Sequence, residues 1–146
     1  MEIEKLEEEL TNERDRNLRT LADFKNYRRR IEREGNKIAE EGIRRIIVPL
    51  LNIVDDLDKS LKWAGDEEQP AVQGLRISRD KLLALLETHG VLPFESVGKQ
   101  FNHDLHEAVA MAEDEGADSG TVVDELRRGY TWNNVLLRPA QVRVAE

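Results

Sequence analysis

The sequence predicts an α+β protein in which long helices come first and a small β domain follows. Residues 1–61 contain one proline and two glycines, whereas short β-rich runs separated by Gly, Pro, Asn and Asp follow Gly90. Only 5% of the residues are aromatic and 36% are charged, which favours elongated helices over one large core. We therefore expect a long paired N-terminal helix, a dimeric four-helix bundle and a small C-terminal β domain.

The first segment, residues 1–42, carries an apolar heptad column. Its members are Ile3, Leu10, Asn17, Phe24, Ile31 and Ile38. This spacing is typical of a coiled coil, and Asn17 in the column favours one register and a parallel pair. The companion column is largely polar, with Glu13, Thr20, Glu34 and Glu41, so the pairing should be weak. The open alternative is an amphipathic helix on a globular core, although such helices typically have about 8–20 residues.

The second segment, residues 43–90, has a wider apolar face that indicates a bundle. Pro49 within it is expected to kink the helix or to mark its restart. Pro70 should start a second helix that runs to about His89, and Gly90 should end it. Two chains would then complete four helices. The predicted dimer interface consists of the heptad column and of Ile47, Leu50, Val54, Leu57, Leu61 and Leu82.

The third segment, residues 91–146, should form short strands that dock on the helices. Its last stretch, GYTWNNVLLRPAQVRVAE, predicts a hairpin with a turn at Asn133-Asn134, because Asn tolerates positive φ. The second strand is expected to run from Val135 to Val144. Pro139 inside it indicates an edge strand or a bulge.

Charge and composition exclude several classes of function. The net charge of −8 argues against binding to nucleic acid or to anionic membranes. The chain has no cysteine, so a thiol nucleophile and a thiolate metal site are excluded. The absence of cysteine fits a reducing compartment, and the expected location is cytoplasmic. No apolar run approaches the roughly 18 residues of a membrane span.

Two clusters of polar residues have competing interpretations. The stretch FNHDLHEAVAM contains His103 and His106, which could bind a metal. A zinc site usually needs three or four ligands, however, so a turn capped by Asn102 or Asp104 is favoured, and no metal or cofactor is predicted.

The stretch YRRRIER contains Arg28, Arg29, Arg30 and Arg33. Because acidic residues flank it, a solvated face or a docking patch for an acidic protein is favoured over a DNA-binding region.

Four stretches together resemble the GrpE family, the nucleotide exchange factors of DnaK-type chaperones. They are ADFKNYRRRIERE, LLNIVDDLDKSL, FNHDLHEAVAM and GYTWNNVLLRPAQVRVA, and the resemblance covers nearly the whole chain. It implies a parallel homodimer without enzymatic activity that binds the nucleotide-binding domain of the chaperone and promotes ADP release. The alternatives are a coiled-coil scaffold with an interaction domain and, more distantly, a metal-dependent enzyme that uses His103 and His106.

The resemblance also implies contact residues for the chaperone. Arg28 and Lys37 match contact positions in the long helix, and Leu126, Val135 and Val144 match contact positions in the β domain. Val135 departs from the family, which can carry a basic residue there, so a salt bridge made at this position is either lost or supplied by Arg128 or Arg138. Asn52 stands where the family often has proline, and Asn102–Asp104 replace a usual DPN.

Overall fold

A computed structural model describes all residues, 1–146. The elements are α1 (Glu2–Trp63), α2 (Pro70–Thr88), β1 (Val91–Pro93), β2 (His106–Ala112), β3 (Val122–Arg127), β4 (Tyr130–Trp132), β5 (Val135–Arg138) and β6 (Ala140–Ala145). The predicted α+β class is confirmed. The chain divides into two compact units, residues 1–45 and residues 46–146.

The helix α1 continues through Pro49 without a break, so the alternative of a helix restart at this residue is wrong. A proline inside a helix removes one backbone hydrogen bond and costs about 3 kcal/mol. Its neighbours offset this cost, because Leu51 is fully buried and Val48 and Leu50 pack against the same apolar cluster. Packing of the apolar face therefore outweighs the local effect of the proline.

The helix α2 begins at Pro70, as predicted, and ends just before His89. Gly90 follows with a φ of 84°, and its N–H donates to the carbonyl of Glu87 at 3.0 Å. A glycine in this left-handed conformation satisfies the last carbonyls of a helix. The carbonyl of Gly90 in turn accepts the N–H of Asn133 at 3.0 Å, so the end of α2 is bonded to the hairpin turn.

The strands form two three-stranded sheets, with the orders β1-β4-β5 and β2-β6-β3. Asn133 and Asn134 have φ values of 49° and 66°, as a type I′ turn requires, which confirms the predicted hairpin between β4 and β5. The expectation of one strand up to Val144 is wrong, because Pro139 separates β5 from β6. Proline cannot donate a ladder hydrogen bond, and the chain passes there from one sheet to the other.

Two apolar clusters form the core of the second unit. The first consists of Leu51, Leu86, Val91, Tyr130 and Leu137. The second consists of Val122, Ala140, Val142 and Val144, with Phe94 and Phe101 packed against it. Because the first cluster contains residues from both helices and both strands of the hairpin, the residues before and after Gly90 share one core.

Candidate partner-binding site

Two of the three predicted apolar contact residues of the β region face solvent. Leu126 on β3 is 56% exposed, and Val135 on β5 is 58% exposed. Val144 on β6 is only 5% exposed and belongs to the second apolar cluster. Its side chain supports the sheet and leaves little surface for a partner, which does not suit the contact role expected for it. Of the three predicted contact residues, Leu126 and Val135 thus present apolar surface to solvent.

Arg138 is buried, with 5% of its surface exposed, and its guanidinium group is fully engaged. Its Nε donates to the carbonyl of Arg128 at 2.8 Å, and its Nη2 donates to Asp55 Oδ1 at 2.7 Å. The guanidinium carbon also lies 5.1 Å from the centre of the Tyr130 ring. Arg138 is therefore not available to supply the surface charge that Val135 lacks.

Arg127 approaches the same acceptors on α1. It donates from Nη2 to Asn52 Oδ1, and its Nε lies 3.4 Å from Asp55 Oδ2. Arg138 Nη1 lies 3.3 Å from the same Asn52 oxygen. Residues three apart share one face of a helix, so Asn52 and Asp55 present their oxygens together. We call Asn52, Asp55, Arg127 and Arg138 the helix–strand clamp.

The surface around Leu126 combines an apolar side chain with charges of both signs. A groove at this point is lined by Asp55, Asp58, Lys59, Lys62, Glu125, Leu126, Arg127 and Arg128. Burial raises the pKa of Glu125, and the nearby Arg128 opposes that shift. An exposed apolar anchor within a polar rim is the usual composition of a protein–protein contact. Arg128 is thus the predicted basic residue whose side chain lies beside Leu126.

The predicted contact residues of the first unit lie on an exposed stretch of α1. Arg28 Nε is 3.3 Å from Glu32 Oε1, and both side chains are largely exposed. Such a surface pair is worth only about 0–1 kcal/mol, so Arg28 can exchange it for a partner's carboxylate at little cost. Lys37 lines a shallow groove together with Arg29, Arg33 and the carboxylates of Glu32 and Glu40.

The residues of the predicted dimer interface differ in exposure between the two units. In the first unit the whole heptad column is exposed, including Phe24 at 58% and Ile38 at 70%. In the second unit Val54 is fully buried within the single chain. The half-buried members of this set are Ile47, Leu50, Leu57, Leu61 and Leu82. The heptad column is therefore an apolar surface that the single chain leaves without cover.

The two histidines of the FNHDLHEAVAM stretch have different environments. His106 is 6% exposed, accepts the N–H of Asn102 at its Nδ1 at 3.0 Å, and packs between the rings of Phe94 and Phe101. Burial, followed by the charge of Lys99, lowers its pKa. His103 is exposed, and Asn102 Oδ1 accepts the N–H of Asp104 at 3.0 Å. The predicted capped turn is confirmed, and no group of three or more His, Asp or Glu could hold a metal ion.

The helix–strand clamp is the part of this region that the sequence analysis missed. In the sequence, Asn52 stands out only as a departure from the family, and Asp55 and Arg127 belong to no predicted site. The available signal is the i, i+3 spacing of Asn52 and Asp55 on α1, which places both acceptors on the same face of the helix. Nothing local to that stretch indicates that its donors come from Arg127 and Arg138.

Comparison with known proteins identifies the family of this chain. The family model described as GrpE matches residues 1–146. The chain belongs to the GrpE family. Protein GrpE of Geobacillus kaustophilus (strain HTA426) is 37% identical over 147 residues, which cover 99% of this chain and 69% of that protein.

Other relatives agree with this assignment to GrpE. Protein GrpE of Staphylococcus carnosus (strain TM300) is 32% identical, with 98% of this chain and 73% of that protein covered. Protein GrpE of Stenotrophomonas maltophilia (strain K279a) is 34% identical, with 99% of this chain and 84% of that protein covered. Neither helix of this GrpE chain combines the length and the apolar composition that crossing a membrane requires.

Proposed function

We propose that this GrpE protein is a nucleotide exchange factor that binds the nucleotide-binding domain of a DnaK-type chaperone and accelerates ADP release. It would thereby assist protein folding and the heat-shock response in the cytoplasm, without an active site of its own. Membership of the GrpE family supports the proposal. The observation that carries it is the exposed pair Leu126 and Val135. The strand of Val135, β5, shares a core with α1 and α2, and Arg127 next to Leu126 is bonded to Asn52 on α1.

The mechanism is a shift of the chaperone's conformational equilibrium. A ligand that binds the open, nucleotide-poor state better than the closed state moves the population toward the open state. A complete reversal from 1:99 to 99:1 needs a preference of about 10⁴-fold. Strand-borne side chains suit this task, because a rigid surface can match one state of the partner and clash with the other. Leu126, Val135 and Arg128 would provide that surface, with Arg28 and Lys37 as further contacts.

We also propose that the chain acts as a parallel homodimer. The exposed heptad column, from Ile3 to Ile38, needs a cover that one chain does not provide. A second copy would cover it with an identical column, with residues 1–42 as a coiled coil, residues 43–90 in a four-helix bundle and residues 91–146 as the β domain. Sedimentation that gives a monomer at micromolar concentration would contradict this assembly.

The second candidate function is a coiled-coil scaffold or tether with a β interaction domain and no exchange activity. The exposed heptad column favours it, since coiled coils commonly set the spacing between bound partners. The two functions differ in one observable, because a tether leaves the rate of ADP release unchanged.

The test is the release of fluorescent ADP from a DnaK-type chaperone in the presence of the full chain. Acceleration is expected for the unmodified protein. Leu126→Asp should weaken its effect by about 30-fold, which corresponds to the hot-spot scale of about 2 kcal/mol. Met111→Asp is the matched control, because Met111 on β2 is equally exposed, at 56%, but is not a predicted contact. If Leu126→Asp and Met111→Asp weaken the acceleration of ADP release equally, Leu126 is not part of a specific binding site.

A further inference from the structure

The helix–strand clamp joins side chains that are far apart in the chain. Asn52 and Asp55 come from α1, Arg127 ends β3 and Arg138 ends β5. Arg138 is buried and Asp55 is partly buried, with side chains 5% and 17% exposed. We propose that the clamp positions β3 relative to α1 and thereby holds Leu126 in one orientation. The surface for the chaperone is then formed before binding. This inference rests on the proposed function.

The clamp holds the chain directly after Leu126 at two consecutive points. The side chain of Arg127 is bonded to Asn52 on α1. The carbonyl of Arg128 accepts the Nε of Arg138 at 2.8 Å, and Arg138 is itself bonded to Asp55 on α1. Leu126 remains 56% exposed although its neighbour is tied to the helix. The arrangement therefore fixes the position of Leu126 without covering it.

The chemistry of the clamp suits orientation better than stabilisation. Replacing a buried ion pair with neutral side chains of similar volume is often neutral or stabilising for a protein, because both charges lose hydration on burial. The hydrogen bonds of an arginine are nevertheless directional, since its planar guanidinium fits its acceptors in few geometries. The apolar cluster of Leu51, Leu86 and Leu137 already packs the β1-β4-β5 sheet on the helices, but it contains no residue of β3. The clamp adds a directional restraint, so that the strands take only one position relative to the helices.

The perturbation is the double variant D55N/R138M in the full chain. It replaces both members of the buried pair with neutral side chains of similar size, which avoids leaving an unpaired buried charge. The matched control is D124N/R143M. Arg143 Nε donates to Asp124 Oδ1 at 2.8 Å, and this pair joins β6 to β3 without bonding to α1. The control therefore loses one Asp–Arg pair of the same unit, whereas the clamp variant loses the pairs of Asp55 with Arg138 and with Arg127.

The first measurement is the distance between α1 and the β2-β6-β3 sheet in the absence of any chaperone. The chain has no cysteine, so spin labels can be attached through Asp56→Cys and Glu107→Cys, with unlabelled chain added to dilute the labelled one. Both positions are exposed. Loss of the clamp should broaden the distance distribution at least about twofold, whereas the control should leave its width unchanged.

The second measurement is the maximal rate of ADP release at saturating concentration of each variant. The clamp variant should lose at least about tenfold in this rate, and the control less than about twofold. An unchanged distance distribution overturns the proposal, as does a broadened distribution with an unchanged release rate. If the unmodified chain does not accelerate release while the clamp variant still broadens the distribution, the proposed function fails and the positioning role stands.

A second, milder variant tests the proposal even if D55N/R138M does not fold. Asn52→Ala removes only the exposed acceptor that Arg127 and Arg138 share, and it leaves the buried pair intact. It should give the same two effects at smaller size, with a loss of about threefold in the maximal release rate. Asn52→Ala with the distance distribution and the release rate of the unmodified chain overturns the proposal by itself.

Discussion

The substitution Val144→Ala tests whether Val144 is a core residue or a contact residue for the partner. Val144 is 5% exposed and packs with Val122, Ala140 and Val142. The substitution removes two buried carbons at about 0.8 kcal/mol each and leaves a small cavity, so the free energy of unfolding should fall by about 2 kcal/mol. Val135→Ala is the matched control, because the same change at a site 58% exposed should stay within about 0.5 kcal/mol.

The assay is urea unfolding followed by the fluorescence of Trp132 on β4. Trp63 on α1 is replaced with Phe in every variant so that one tryptophan reports, and the protein concentration is held constant because association shifts the apparent stability. With a slope of about 2 kcal/mol per molar urea, Val144→Ala should lower the midpoint by about 1 M. A normal midpoint together with weakened chaperone binding would mean that Val144 faces the partner, and the burial argument would be refuted.

Three further predictions concern pH, the heptad column and the long helix. Because burial lowers the pKa of His106 below its ordinary 6.5, the unfolded chain takes up this proton first as the pH falls, so the free energy of unfolding should decrease below about pH 6.5; His106→Asn should flatten this dependence in urea titrations at several pH values. Replacing Glu13, Thr20 and Glu34 of the polar companion column with Leu should raise the temperature of the first melting transition seen by circular dichroism. An unchanged temperature would show that these polar residues do not limit the stability of the coiled coil. Arg28→Glu should weaken chaperone binding more at low salt than at high salt, since an exposed contact is screened; a salt-independent loss would argue against a direct ionic contact.

The helices and the hairpin could be predicted because their signals are local. Pro70 and Gly90 bound α2, and two Asn residues with positive φ form the turn that their side chains favour. The continuation of α1 through Pro49 was not predictable from the proline itself. It depends on the burial of Leu51 against residues of the hairpin, which lie far along the chain.

The candidate site was predictable only in part, for the same physical reason. The bond between Asn52 and Arg138 joins residues 86 positions apart, so no spacing rule finds it. Val144 is a different case, because the alternation of Ala140, Val142 and Val144 along β6 already indicates an inward face. In that instance the local pattern indicates burial, whereas the contact role expected for Val144 rests on the resemblance alone.

The central position of β6 has a consequence for how the β2-β6-β3 sheet forms. β2 and β3 do not pair with each other, and each bonds only to β6, which follows both in the chain. During synthesis β2 and β3 therefore leave the ribosome before their pairing partner β6, and they stay unpaired until β6 has been made. The parallel pairing of His106 with Ala140 must also close a long loop, which slows folding relative to a hairpin. The hairpin of β4 and β5 can form early, whereas this sheet is completed only when the last strand arrives.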